Sequence, residues 1–298
     1  MPEPLIILCP PRSYSSIVCA VIGQHPDCYG LPELNPFLAD TLGEAWHGLI
    51  AFMGNFGRDG LVRALAQLHE GEQNPDTVAR AKQWIGEHSS WPVRKLFDHI
   101  QELVGDRILV EKSPSTVFKR EFLDRMLRTF PAANILHLVR HPRGTAESVM
   151  GLRANFEGLN RLVANIKTRD PEFTWRTMHD SIVAATEDLP LGQCMRLKGE
   201  ALLANLDIYL PQICEWLDIR NDAKALNAMM HPERSPYARP GPPGASGGND
   251  PNFLANPTLD RSRLAKLNEP LLPGELSWRH ADVFEPATVK LAKRLGYQ

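Results

Sequence analysis

The chain of 298 residues sets 33 Lys and Arg against 35 Asp and Glu, a formal charge of −2, with 43% hydrophobic and 23% charged residues. This balance gives no general attraction to nucleic acid or to an anionic membrane, and it is that of a globular protein rather than a disordered, collagenous or coiled-coil one. No apolar stretch approaches the ~18 residues of a membrane span, and five cysteines without a CxxC pair suggest neither a disulfide framework nor a zinc site, so a reducing cytoplasm is expected.

Residues 5–9, LIILC, are an apolar run closed by Pro10 and Pro11, which predicts a short buried strand. In the following SYSSIVCAVIGQHP, Ser13, Ser15 or Ser16 is expected to cap a helix whose stripe is Ile17, Val18, Val21 and Ile22, ended by Gly23 and Pro26. Residues 38–104 are mostly in helical period and predict a helical insertion over one end of a sheet. Strands are expected at 108–110 and at 134–139, NILHLV, the latter opening into RHPRGTAESVMGL with Pro142 and Thr145 at a helix start. Residues 201–217 resume the helical pattern despite Pro211, the Gly/Pro-rich stretch 239–257 predicts a loop, and a last helix follows at 286–295. Strands alternating with helices imply an α/β fold, a central parallel sheet flanked by helices, in a single domain over 1–298.

Two segments carry anion chemistry. A loop leading from a strand into a helix N-terminus aims free backbone N–H groups and a partial positive charge at one point, which suits phosphate or sulfate. In PPRSYSS, Arg12 adds charge and Ser13, Ser15 and Ser16 add hydroxyls, but the glycines and lysine of a Walker A loop are absent. In LVRHPRGTAESVM, Arg140 ends a strand and Ser148 lies eight residues on, so the two can hold one phosphate from two sides. From 112 to 153, eight basic residues face three acidic ones, an excess that suits an anionic ligand.

Together these segments resemble the PAPS-dependent sulfotransferase family, PAPS being 3′-phosphoadenosine 5′-phosphosulfate. Further likeness lies in EKSPST at 111–116, in RLKGEALLAN at 196–205 and in the closing LAKRLGY. The resemblance implies a sulfotransferase-type nucleotide-binding fold, with Arg12, Ser13, Tyr14, Ser15 and Ser16 at the 5′-phosphosulfate and Arg140 and Ser148 at the 3′-phosphate. Tyr14 stands where the family's loop usually carries Gly. Glu33, after HPDCYGLPE, matches the catalytic glutamate of the tyrosylprotein sulfotransferase branch and is the expected general base. Lys112 takes an active-site lysine position and, with Arg12, is expected to stabilise the moving sulfuryl group. A histidine base is the runner-up, although the KTHLP segment of aryl and steroid members is missing. His25, His137 and His141 read as structural. Arg239, Gly241 and Gly244 are the nearest match to the family's C-terminal lid loop, which places a lid at 239–257.

The resemblance implies sulfuryl transfer to a hydroxyl of a small molecule, a lipid or a carrier-tethered acyl chain, since bacterial members acting on tethered hydroxyacyl chains share the PPRS and HP…PEL features. No metal is needed where cationic side chains supply the field. Trp46, Phe52, Met53, Phe56 and Trp84 of the insertion are candidates for the acceptor pocket. An ATP- and magnesium-dependent small-molecule kinase and a non-catalytic nucleotide-binding module remain as alternatives.

Overall fold

The computed structural model of the chain describes residues 1–53, 55–155, 170–260, 264, 267, 269–279 and 282–298, without the side chains of 50–53, 55, 56, 154 and 155. Its centre is a five-stranded sheet, β1 (Leu5–Leu8), β2 (Cys28–Gly30), β3 (Ile108–Glu111), β4 (Asn134–Val139) and β5 (Cys194–Lys198), in the order β2-β3-β1-β4-β5. All four pairings are parallel. Both sides of a parallel sheet are covered, so β1 and β4 are nearly continuous apolar runs instead of alternating ones.

The helices are α1 (Ser15–Gly23), α2 (Leu42–Met53), α3 (Asp59–Glu70), α4 (Pro75–Glu87), α5 (Val93–Val104), α6 (Arg120–Thr129), α7 (Pro142–Asn155), α8 (Pro171–Thr186), α9 (Gly199–Ala204), α10 (Leu206–Trp216), α11 (Ala223–Met229), α12 (Pro251–Ala255) and α13 (Pro286–Arg294). Alternation along β1 divides the core: Ile6 and Leu8 pack with α3 to α6 and α8, while Leu5 and Ile7 pack with α1 and α9 to α11. The expected insertion is therefore helical, and it lies along one face of the sheet rather than only at an end, because α3, α4 and α5 each bury an apolar stripe there.

The expected strands at 5–9, 108–110 and 134–139 form within a residue of their limits. Two strands lay outside the sequence reading. β2 has three residues, one of them Gly30, and it lies so close to α1 that a Cβ on Gly23 would stand 2.4 Å from the Gly30 Cα. β5 ends inside the segment RLKGEALLAN, whose first three residues it takes; its basic side chains fit an edge strand that pairs with β4. The helical stretch 201–217 is two helices, parted at Asn205.

Candidate active site

β1 lies between β3 and β4, so the loops after these three strands meet at the carboxyl edge of the sheet. The loop from β1 to α1 has no glycine, yet Arg12 and Tyr14 adopt left-handed φ angles of 67° and 65°. Each such residue costs on the order of 1–2 kcal/mol. The conformation expected of a family glycine is thus imposed on a tyrosine, and the ring is moved aside: the Arg140 guanidinium lies over it at 4.3 Å, and a Cβ on Gly199 would stand 2.7 Å from it.

Tyr14, rather than a serine, is the residue before α1, and no side chain caps that helix. Two of the serine hydroxyls are used elsewhere. Ser15 bonds the Cys9 thiol, and the Ser16 Oγ accepts from Lys112 Nζ at 2.7 Å and from the Asp250 N–H at 3.0 Å. The Ser13 Oγ is buried without a hydrogen-bond partner among the described residues. The first-turn amides of α1 therefore keep their capacity for an anion.

The second segment meets the first. Arg140 donates from Nη1 to the Arg12 carbonyl at 2.6 Å, its Nε is buried and unpartnered among the described residues, and Arg12 Nε donates to Ser148 Oγ at 3.0 Å. Arg12, Tyr14, Ser16, Arg140 and Ser148 share the wall of one cleft of about 260 Å³, whose other side includes Leu203, Asp250, Phe253, Leu259, Leu264 and Leu267. Eight residues of separation across the β4–α7 loop thus bring Arg140 and Ser148 to one place.

Lys112 and Glu33 stand next to this cleft through Ser16. The Lys112 ammonium is fully buried and bonds both Ser16 Oγ and Glu33 Oε1, each at 2.7 Å. Burying a lone ammonium is costly, so the Glu33 carboxylate is its required counter-ion. Close backbone packing fixes Glu33: its N–H donates to the Gly248 carbonyl at 2.8 Å, and a Cβ on Gly60 would lie 2.0 Å from the Glu33 carbonyl oxygen. Behind the pair, Asn35 N–H donates to Ser113 Oγ at 2.8 Å, Ser113 Oγ donates to Glu111, and Ser115 Oγ donates to Asn35 Oδ1 at 2.6 Å. Burial pushes the Glu111 carboxyl up to about 7, which suits a structural neighbour of Lys112. The Cys9 and Cys19 thiols are pushed up to about 12 by burial and are no nucleophiles at neutral pH.

Several expected residues fall outside the cleft. Arg239, Gly241 and Gly244 lie on the side of α3 and α4: Arg63 Nη2 donates to the Arg239 carbonyl at 2.7 Å, Lys82 Nζ donates to the Gly244 carbonyl at 2.8 Å, and Gly241 lies against the Arg63 side chain. Arg63, buried in α3 with no carboxylate in hydrogen-bond contact among the described residues, also donates to the Gly247 carbonyl, so it ties down the first half of the loop. What reaches the site is the second half: Gly248 at Glu33, and Asp250, whose carboxylate pairs with Arg12. Local composition showed a loop there, but no periodicity marked Gly60, Arg63, Gly248 or Asp250.

The local basic excess is dispersed as well. Lys119, Arg120 and Arg125 pair with Glu121, Asp124 and Asp40, and Arg143 reaches the carbonyls of 271–274. His25 caps its turn, and His137 pairs with His179 in the core. Trp46 lies under the Arg58 guanidinium, and Trp84 stacks between His88 and His99. The side chains of Phe52, Met53 and Phe56 lie outside the described residues.

A family model described as "Sulfotransferase family" matches residues 4–223. The chain belongs to the sulfotransferase family, and it is accordingly a transferase. Among solved structures it is similar to a sulfotransferase domain from the curacin biosynthetic pathway, at 23% identity over 100% of this chain and 99% of that one with a TM-score of 0.80. It is also similar to a sulfotransferase domain from the Synechococcus PCC 7002 olefin synthase, at 26% identity over 100% and 97% with a TM-score of 0.74. These likenesses agree with the observed parallel sheet flanked by helices. No curated protein matches the chain significantly. Among the described residues no helix is long and apolar enough to cross a membrane.

Proposed function

We propose that the protein transfers a sulfuryl group from PAPS to the hydroxyl of a small molecule or carrier-tethered acyl chain. The observation that carries this reading is the meeting of two anion-holding segments in one cleft, joined through Ser16 to a buried Lys112–Glu33 pair. The residues fit the donor: the uncapped α1 amides, and the Ser13 Oγ and Arg140 Nε, which have no partner among the described residues, are polar groups that an anion would satisfy. The origin of the two similar domains, a natural-product pathway and an olefin synthase, supports an acceptor from small-molecule or acyl-chain biosynthesis. Five unpaired cysteines suit a reducing cytoplasm.

When bound, PAPS supplies a sulfuryl group already activated by its anhydride link to phosphate. Arg140 and Ser148 hold its 3′-phosphate, and Arg12, Ser13, Tyr14, Ser16 and the α1 amides hold its 5′ end; Ser15 contributes through its backbone, its hydroxyl being turned to Cys9. Lys112 offers a fixed ammonium, in surroundings that exclude water, to the charge on the sulfuryl and phosphate oxygens. Glu33 accepts the proton of the acceptor hydroxyl; with Oε1 on Lys112, the proton is taken at Oε2.

Calorimetric titration with 3′-phosphoadenosine 5′-phosphate, beside ATP with magnesium, tests the reading. Micromolar binding of the bisphosphate, lost in Arg140→Ala and not matched by ATP, is the expected outcome. Equal or stronger binding of ATP would favour a kinase instead.

A further inference from the structure

The Arg140 guanidinium can hold an anion only if the backbone that carries it is fixed, and that backbone is gripped from two sides. The Arg140 carbonyl accepts from the buried Trp175 Nε1 at 2.9 Å, and the next N–H, that of His141, donates to Glu200 Oε1 at 2.9 Å. Glu200, at the start of α9, is buried and has left the cleft to its neighbours; its other oxygen, Oε2, accepts from the Tyr297 hydroxyl at 3.0 Å. Both oxygens of this carboxylate are therefore spent on positioning, one on the Arg140–His141 peptide and one on the tyrosine that orients it.

Tyr297 is itself immobilised. Its ring is buried and meets the His141 ring edge-on at 4.9 Å, with the Lys198 ammonium 5.2 Å from its centre. On either side of it, the Gly296 carbonyl accepts from Lys198 Nζ at 3.2 Å and the Gln298 carbonyl accepts from the Leu272 N–H at 3.0 Å. The same β5–α9 turn that presents Glu200 also presents Gly199, against which the Tyr14 ring lies beneath Arg140. One turn thus supports the arginine at its peptide and at its guanidinium.

We propose that Tyr297, acting through Glu200, is a positioning residue for Arg140, so that the segment following α13 sets affinity for the 3′-phosphate of the donor. Removing the hydroxyl frees Glu200 Oε2, the carboxylate rotates away from the His141 N–H, and the Arg140 peptide loses one of its two anchors. The effect falls mainly on the 3′-phosphate, because Arg140 meets the loop that carries Ser13 and the α1 amides at the Arg12 carbonyl and the Tyr14 ring, while Ser13 and those amides are held by their own backbone. The inference rests on the assignment of Arg140 to the 3′-phosphate.

The test compares two nucleotides, 3′-phosphoadenosine 5′-phosphate and adenosine 5′-phosphate, by calorimetry on the wild type and on Tyr297→Phe, a change that keeps the packed ring. The bisphosphate is expected to weaken about tenfold or more, from the loss of one hydrogen bond to a charged group, with adenosine 5′-phosphate within about twofold of wild type. Trp175→Phe, which removes the opposite anchor, is expected to give the same selective loss and serves if Tyr297→Phe fails to fold. Equal weakening of both nucleotides, or of neither, overturns the inference while leaving the donor assignment standing. A wild type that holds the two nucleotides alike would remove the 3′-phosphate role of Arg140, and this inference with it.

Discussion

The buried Lys112 has as its counter-ion the residue proposed to take a proton. Lys112 holds Glu33 in place at 2.7 Å, so one carboxylate oxygen is committed to the ammonium. The value of the contact is in orientation: a carboxylate pinned by one oxygen presents the other in a fixed direction. Replacing Glu33 by Gln removes the base and leaves Lys112 a neutral acceptor in place of its counter-ion. Turnover of any acceptor that the wild type sulfates is expected to fall about 10²- to 10⁴-fold, with the Kd for 3′-phosphoadenosine 5′-phosphate within about twofold of wild type. Steady-state rates beside calorimetry check this, and an unimpaired rate would take Glu33 out of the chemistry.

At the scale of elements, the loop of 239–257 is two devices. Arg63 and Lys82 anchor its first half to α3 and α4, while its second half brings Asp250 to Arg12 and Ser16. Asp250 thereby places a carboxylate on the arginine that the proposed function assigns to the nucleotide, and on that reading binding competes with the contact. With the ion pair partly exposed, its loss is worth about 1 kcal/mol, so Asp250→Asn is expected to tighten binding of the bisphosphate about fivefold. Weaker binding in that variant would show that Asp250 orients Arg12 instead of opposing the ligand.

The contrast between this loop and the two strand-to-helix turns explains what the sequence could disclose. LIILC and NILHLV are apolar runs long enough to declare strands, and the polar turns that follow them can only lie at the sheet's carboxyl edge, so Arg12, Ser16, Arg140 and Ser148 were legible together. β2 and β5 were not, because a three-residue strand with a glycine and a basic edge strand carry no run and no alternation. Gly60 at Glu33, Gly248 at Gly60 and Asp250 at Arg12 are contacts between distant backbones, and no local period announces them. Tyr14 shows the converse: the missing glycine was visible, whereas the space that Gly199 leaves for its ring belongs to another element.

For the molecule as a whole, buried histidines dominate the response to acid. Burial lowers His179 to about 3 and His141 to about 4, and His137, beside His179 and Arg196, is also lowered. The unfolded chain binds these protons at about 6.5, so it gains protons first and stability is lost as pH falls from about 6.5 towards 4. Glu111, raised to about 7, works in the opposite sense, because the folded state keeps its proton up to that pH. His69 and His99 are lowered by burial as well, and Glu200 and Asp59 are raised by it; five rings outweigh three carboxyls, and the urea midpoint is expected to be lower at pH 5.5 than at pH 7.5. A flat or inverse dependence would mean that the rings are reached by water.

The order of the strands also dictates a schedule. β1 sits in the middle of the sheet, yet its two neighbours, β3 and β4, begin 103 and 129 residues after it, at Ile108 and Asn134 against Leu5. At a ribosomal pace of about 5–20 residues per second, the run Leu5–Leu8 waits on the order of 5–20 s for its first hydrogen-bonded neighbour. The helices of 42–104, built largely on contacts near in sequence, can take shape during that interval. The most apolar strand is therefore exposed longest, and a nascent chain of this sheet order depends on chaperones, or on fast helical collapse over Ile6 and Leu8, to keep that strand from pairing with another chain before its own partners exist.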